Sequence, residues 1–542
     1  MSRTLKLAAA CVALACACAL LSAEAVGTRQ AGTPPAPARQ ALNEQERRGK
    51  ELYLRGQSAS GRELVAVVGE IDVPGSTVTC AGCHGLRGEG KTEGGVTAGN
   101  LTWSNLLKPY GHTHPSGRKH GPFTESSFIR AVTGGVDPDG NELLVAMPRY
   151  RMSAGDMADL IAYLKRIEAD RDPGLTESSI SVGLLVPSAG PLAEAGAAMR
   201  EVLDAYFQEV NARGGVYSRK LALRVAQAGP DAAAAAAAAR GLAEREQVFA
   251  LVGGVSAGAE RELAAVAAET ETPFVGPSTL LPQTSTPLNR QVFYLMPGVA
   301  EQARALANFA ASRPELKPAN VAVVAPAGEL HEAAAAAFED QAKRAGLGRV
   351  TRHAHRREGF DAARLAAELK AAGAGVVFFL GGGAEAAALL REAAASGWTP
   401  HVLALGLFTA GELAQAAPPA FKDRIFVAFP QVPSDVTAAG MAEFRALQAK
   451  HKLAPRHAAS QLAAFAAGKV FVEALKRAGQ DLSRERLITA LEGLYDFETG
   501  VAPMLTFGPN RRVGAAGAYV LTIDPEKKEY APGAGWVRAN NN

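Results

Sequence analysis

The chain has 542 residues, 57 Lys and Arg against 54 Asp and Glu for a net charge of +3, and 48% hydrophobic against 20% charged residues. That length exceeds one ordinary domain and fits a small module joined to a large one. The balanced charge argues against a nucleic-acid-binding surface, and 56 glycines with many alanine-rich helical stretches suit an α/β protein.

At the start, Arg3 and Lys6 precede an apolar run from Leu7 to Leu21, followed by the small-x-small site Ala23-Glu24-Ala25. Residues 1–25 are therefore predicted to be a secretory signal peptide, which sends the chain to the periplasm. The run is about 15 residues, short of the roughly 20 that span a bilayer. Cys11, Cys16 and Cys18 lie within it; the alternative is a lipoprotein that keeps Cys16 or Cys18 as a lipidated terminus. Residues 26–42 are rich in Pro and Ala and are predicted to be a disordered tether. No later stretch reads as long and apolar enough to cross a membrane.

Residues 43–170 form the first predicted module. Asn43 with Glu46 marks a helix start and Gly56 its end; Ser153-Ala154-Gly155-Asp156 marks another, followed by Met157, Leu160, Ile161, Leu164 and Ile167 at helical spacing. Between them lies Cys80-Ala81-Gly82-Cys83-His84, a Cys-x-x-Cys-His run that reads as a c-type haem attachment site. Two thiols one short turn apart can each add to a haem vinyl group while the adjacent imidazole reaches the iron, so Cys80 and Cys83 are the expected covalent anchors of one haem c and His84 its proximal ligand. A redox dithiol or half a zinc site is the competing reading, but zinc needs a second pair at matching spacing, and the remaining cysteines all precede residue 20. His112, His114 and His120, in a Gly/Pro-rich loop, are read as solvated, since no acid or cysteine nearby completes a metal set. Ile71, Val73 and Val78 allow a short hairpin over the haem edge.

The two helices bracketing the haem motif resemble the class I cytochrome c fold, a small all-α module whose terminal helices cross. The resemblance implies that Gly49 and Tyr53 meet Leu160 and Tyr163 at the crossing, and that a loop before the last helix supplies a methionine to the iron. Met147 is the candidate, because Met147-Pro148-Arg149-Tyr150 precedes that helix and Pro148 stiffens the loop; Met152 and Met157 adjoin or occupy the helix and are assigned to packing. Met/His ligation saturates the iron and favours an electron carrier.

After a linker at 171–178, residues 179–535 change character. Apolar strand-like runs at 180–186, 221–226, 248–253, 321–325, 376–380, 402–405 and 425–429 alternate with helical stripes, which means parallel sheets with helices on both faces. The eight alanines 232–239 are read as a surface helix of high propensity. About 350 residues of this kind predict two lobes. The stretch resembles the type I periplasmic solute-binding proteins of the leucine/isoleucine/valine-receptor family through Gly183-Leu184-Leu185-Val186-Pro187-Ser188-Ala189-Gly190-Pro191, Asn211-Ala212-Arg213-Gly214-Gly215-Val216, Val252-Gly253-Gly254, Thr272-Pro273-Phe274-Val275-Gly276-Pro277-Ser278, Glu473-Ala474-Leu475-Lys476-Arg477-Ala478-Gly479 and Thr499-Gly500. The resemblance implies a two-lobed α/β fold with the ligand between the lobes, held by loops at the carboxyl ends of strands. By position those loops contain Ser188 and Gly190, Ser256 and Ala257, Ser278 and Thr279, Leu330, Gly382 and Gly383, and Leu407 and Phe408. Hydroxyls and backbone N–H groups near Ser278 and Thr279 are suited to a ligand carboxylate. Amino-acid receptors of this type also set an acid against the ligand's ammonium group, but the matching segment here reads Gly406-Leu407-Phe408, so an ammonium would be desolvated unpaired, at several kcal/mol. A neutral or carboxylate-bearing apolar compound is favoured over an α-amino acid.

The chain carries no His-Glu-x-x-His. It reads as a non-enzymatic periplasmic fusion: a monohaem electron carrier, with a dehydrogenase or another cytochrome as redox partner, joined to a receptor for an amino-acid-type or apolar carboxylate solute. The alternative is the solute receptor of an ABC importer, engaging its permease, with an accessory or sensory haem; a haem enzyme acting on the bound solute is the third reading.

Overall fold

A computed structural model of the protein describes residues 42–355, 359–409 and 411–539. The expected signal peptide, and all of the expected tether except Leu42, lie outside the described residues. The chain divides into two compact units between Asp170 and Arg171.

In the first unit, helix Glu44–Arg55 begins at a capping box in which Asn43 and Glu46 exchange hydrogen bonds, and it ends at Gly56, whose φ of 63° completes a left-handed cap. Helix Ala154–Leu164 begins with the same device between Ser153 and Asp156. The two helices cross tightly, because a Cβ on Gly49 would lie 2.0 Å from the Asp159 carbonyl oxygen and 2.7 Å from Tyr163 Cβ. Tyr53 and Tyr163 pack with ring centroids 5.7 Å apart, and Arg48 grips Asp159 through two hydrogen bonds at 2.7 and 3.0 Å. The short helices Cys80–His84 and Trp103–Leu106 and the helix Glu125–Gly134 fill the interval. A hairpin is present at Ile71 and Val73, but it pairs Ile71–Pro74 with the preceding Val65–Val68 and leaves Val78 outside, which corrects the expected pairing; Arg149–Arg151 adds a third antiparallel strand, so the helical module carries a small sheet.

The second unit has two lobes. The first is built on five parallel strands in the order Val292–Phe293, Phe274–Val275, Ala250–Val252, Ser179–Pro187, Lys220–Ala228. Helices on both faces explain its apolar strands: Val182, Leu184 and Val252 are fully buried. The second is built on Val350–His355, Asn320–Pro326, Ala374–Phe379, His401–Leu405 and Ile425–Phe429, all parallel, extended by the antiparallel hairpin Gly517–Asp524 and Glu529–Arg538. The chain enters the second lobe after Phe293, returns to the first after Phe429 and crosses again before Gly517, and Tyr294 and Val513 pair side by side in these connections. The polyalanine helix spans Ala232–Glu244, capped by Asp231 accepting from the Ala234 N–H, and buries Ala235 and Ala239.

Residues 172–176 are held to the second unit: the Gly174 carbonyl accepts from Ser181, Thr176 accepts from Arg219, and Asp172 accepts the Arg484 N–H at 2.6 Å. Helix Ala458–Ala478 corrects one expectation, since by length and composition it is apolar enough to cross a membrane. Here it is a core helix: Phe465, Ala467, Val470, Phe471 and Leu475 are all buried in the first lobe. The buried Arg484 guanidinium ties the same lobe together by donating to the carbonyls of Val248, Phe249, Thr270 and Glu271.

Candidate functional sites

Thr79 starts the haem-motif helix by accepting the Gly82 N–H at 3.2 Å, which presents Cys80, Cys83 and His84 from one short turn. All three line a cavity of about 720 Å³ in the first unit, together with Met147 and an apolar wall that includes Val68, Phe128, Leu160 and Leu164. His84 is 7% exposed; its Nδ1 lies 2.7 Å from the Gly99 carbonyl oxygen, and its Nε2 is buried without a hydrogen-bond partner. Burial lowers the imidazole's proton affinity against the opposing bond from Gly99. The ring is thus a neutral imidazole with Nδ1–H donated to a carbonyl and a bare Nε2 lone pair, the donor set an iron ligand requires. Desolvation pushes the Cys80 thiol up to about 12. A redox-active Cys-x-x-Cys pair needs the opposite shift, so the surroundings of Cys80 fit a covalent anchor and not a dithiol.

Met147 lies in a turn, its N–H bonded to the Leu144 carbonyl at 3.0 Å, and Arg149 clasps the loop by donating to the carbonyls of Met147 and Leu143. It faces the cavity, whereas Met152 and Met157 pack on the helical core. The solvated-loop reading of the three histidines is corrected. His112–Thr113 and Lys119–His120 form a hairpin, His120 is 9% exposed, and the three rings cluster with centroids 4.7 to 6.2 Å apart in the cavity wall. The hairpin register, His112 opposite His120, creates that cluster, and the sequence offered only histidine spacing as a signal.

In the second unit every candidate ligand contact follows the carboxyl end of a strand, as open parallel sheets require. Ser188 spends its hydroxyl on the Ala228 carbonyl at 2.8 Å, and Gly190, with φ of 79°, borders open space. Ser256 and Ser278 are brought together: the Ser256 N–H and hydroxyl both reach the Ser278 carbonyl, at 3.1 and 3.4 Å, while the Ser278 N–H bonds to Gly254. Ala257 beside them is exposed. On the other lobe, the Gly382 N–H bonds to Glu385 at 2.9 Å, and Phe408 stacks on His331 with centroids 4.6 Å apart. Leu330 and Phe408 back onto that lobe's core, and Leu192, Leu280 and Leu407 are each more than a third exposed. The lobes meet at Arg261 and Glu329, 3.4 Å apart.

One residue was missed by sequence reasoning. Glu260, in the first turn of helix Glu260–Glu269, accepts the Thr279 hydroxyl at 2.7 Å and the Gly258 N–H at 2.9 Å. Thr279, expected to receive a ligand carboxylate, already donates to a carboxylate, and an anion placed there would be repelled. A carboxylate therefore stands on the lobe opposite Gly406-Leu407-Phe408. A glutamate in a first helical turn reads locally as a capping residue, which hid it.

The periplasmic binding protein family matches residues 179–529, and the cytochrome c family matches residues 74–168. Among curated proteins, the Leu/Ile/Val-binding protein homolog 3 of Brucella melitensis is 26% identical over 226 residues, 42% of this chain and 61% of its own length. The matched stretch thus spans about three-fifths of that relative. A putative branched-chain amino acid ABC transporter structure from Rhodospirillum rubrum superposes with a TM-score of 0.54 at 18% identity, covering 65% of this chain and 99% of its own. A branched-chain amino acid ABC transporter structure from Thermus thermophilus, with bound valine, gives 0.50 at 19% identity over 67% and 97%. At such identities the structural likeness establishes the fold.

Proposed function

From the premise that the chain belongs to the periplasmic binding protein family and carries a cytochrome c domain ahead of the binding domain, we propose that it is a periplasmic monohaem electron carrier fused to a receptor for a small amino-acid-type solute. A cytochrome c domain implies covalently bound haem c; Cys80 and Cys83 would anchor it through thioethers, and His84 and Met147 would hold its iron. The observation that carries this reading is the buried Nε2 of His84, without a partner in the wall of a cavity that also receives both thiols and Met147. Haem supplies reversible one-electron exchange. The chain's own residues anchor it, orient the imidazole through Gly99 and close the cavity with apolar side chains. The test is the mass and absorption spectrum of the exported full chain. One covalent haem, with a methionine-to-iron band and a reduced spectrum unchanged by carbon monoxide, is expected; a bare polypeptide mass ends the proposal.

The ligand lies between the lobes, against Ser188, Gly190, Ser256, Ala257, Ser278, Thr279, Gly382 and Phe408. Its apolar part faces the exposed leucines and its donor end faces Glu260, a pattern that suits an ammonium-bearing apolar compound of the branched-chain amino-acid type. Calorimetry on the haem-loaded chain with leucine, the matching keto acid and an alkyl amine separates the cases. Leucine is expected to bind tighter than the keto acid, and Glu260→Gln to weaken leucine by roughly 10- to 100-fold, the value of a hydrogen bond to a charged group. Keto acid binding as tightly as leucine, and indifferent to Glu260→Gln, overturns the assignment. The names of the relatives favour a second reading, in which the same lobes present their solute to an ABC permease and the haem is accessory or sensory.

A further inference from the structure

The wall of the haem cavity contains a group that electron transfer alone does not use. His114 and His120 approach each other Nε2 to Nε2 at 3.0 Å. Arg118 Nη2 lies 2.8 Å from His114 Nε2. A guanidinium only donates, so this nitrogen of His114 carries a lone pair and its proton is on Nδ1. His120 Nδ1 lies 2.7 Å from the Gly121 carbonyl oxygen, which only accepts, so that nitrogen carries a proton. A neutral His120 would therefore turn a second lone pair onto the first at 3.0 Å. One additional proton on His120 Nε2 converts this repulsion into a hydrogen bond to His114 Nε2, whose single lone pair it shares with Arg118.

The surroundings can accommodate that proton once it is taken up. Asp137, its side chain fully buried, pairs with Arg118 and accepts from Asn141 and from the Asp139 N–H, while Asp139 accepts the Gly121 N–H at 3.0 Å. These two carboxylates offset the guanidinium and the imidazolium. Facing the pair from other elements are His112 across the hairpin, the edge of Phe123 at 5.0 Å from His120, Lys108 before the hairpin, and Lys91, Tyr53 and Tyr150 in the same cavity. Burial drives both tyrosines away from ionisation. Burial, then Arg118, lowers His114 to about 4, in keeping with its role as the neutral acceptor.

We propose that His114 and His120 form a shared-proton site in the haem wall, so that one-electron reduction of the haem is accompanied by uptake of one proton from water by this pair. The proposal rests on the haem reading above. In balance, ferric iron gains one electron from an external one-electron donor, the pair gains one proton, and the cavity's net charge is unchanged. A cation in the wall favours ferrous over ferric iron, and by reciprocity the reduced state binds the proton more tightly. Above the pH at which both oxidation states have lost the proton, and below the pH at which both hold it, the coupling vanishes.

The test is a potentiometric titration of the haem-loaded full chain with soluble one-electron mediators, from about pH 5 to about pH 9, the range in which histidines exchange protons. The midpoint potential is expected to fall across one step and to be level on both sides, by about 59 mV if the reduced state binds the proton about tenfold more tightly. His114→Gln and His120→Gln should each remove the step while the absorption spectrum and indifference to carbon monoxide show the axial ligands intact; His112→Gln should leave it. A flat potential in the haem-loaded protein, or a step surviving both variants, overturns the proposal, whereas a chain without covalent haem fails the earlier reading instead. Should a variant not fold, histidine resonances of the reduced wild type decide: the two rings titrating as one coupled unit is expected, and two independent titrations overturn it.

Discussion

The two units bury their apolar residues differently. In the second, parallel strands clad by helices close on themselves, and Val182, Leu184, Val323 and Phe378 are fully buried by protein alone. In the first, Tyr53, Phe128, Leu160 and Leu164 are buried too, yet they also wall a cavity of about 720 Å³. A small module has little core to spare, so a haem held in that cavity would complete the interior. Separate unfolding of the two units is the expected outcome. The largest expected effect is that of replacing both Cys80 and Cys83 by Ala: the first unit's calorimetric transition should disappear and the second's stay within a degree or two, since a group that binds only the folded state stabilises it by mass action. An unchanged first transition without haem breaks the contrast.

The mirror experiment strikes the second unit alone. Arg484 is 8% exposed and donates to four backbone carbonyls that bind the first lobe's sheet to its return helices. Arg484→Met keeps the stem and removes every donor, leaving buried acceptors at about 1–3 kcal/mol each in the worst case, for an expected loss of about 3 kcal/mol after relaxation. The second transition should fall while the haem spectrum and the first transition hold.

How much was legible followed the range of the forces. Helix ends were readable because Asn43 with Glu46, Ser153 with Asp156, and Asp231 act on neighbours in the chain. The strands at 180–186 and 425–429 were readable because burial on both faces demands continuous apolar residues. The pentapeptide Cys80–His84 was readable as an attachment motif because its chemistry is contained in five residues. The hairpin Gly517–Asp524 and Glu529–Arg538 was not, since its last strand is largely exposed and rich in Gly and Pro. Strand Val350–His355, with arginine and histidine in its sequence, carries little apolar signal. Glu260 against Thr279, and His120 against His114, become neighbours only once strands are in register, and no local pattern announces them.

A subtler lesion tests the helix crossing. Gly49→Ala forces a Cβ against the Asp159 carbonyl, and overpacking of this kind costs about 1–3 kcal/mol. The first transition alone should move, down by several degrees. Acid tests the same unit through Asp137. Burial works against its charge, but hydrogen bonds from Asn141, then Arg118 and the Asp139 N–H, prevail and hold its carboxyl below the usual range. A depressed folded-state value contributes stability that is present above the unfolded carboxylate value, about 3.9, and is lost as pH falls through the folded one. The first unit of Asp137→Asn should therefore lose much of the acid dependence that wild type shows below about pH 4.

The smallest effect is the most diagnostic, because the same lesion can be placed in each unit. Ser153 caps the last helix of the first unit through the Asp156 N–H at 3.1 Å, and Asp231 caps the polyalanine helix of the second through the Ala234 N–H at 2.8 Å. Replacing either by Ala removes one cap, worth about 1 kcal/mol. Unfolding entropy grows with the size of the cooperative unit, so equal energies give unequal shifts: about 4–8 °C in a domain of 60–100 residues, but about 2–4 °C or less in a much larger one. Ser153→Ala should thus lower the first transition at least twice as far as Asp231→Ala lowers the second. Equal shifts in both transitions, in either variant, would mean that the two units unfold as one.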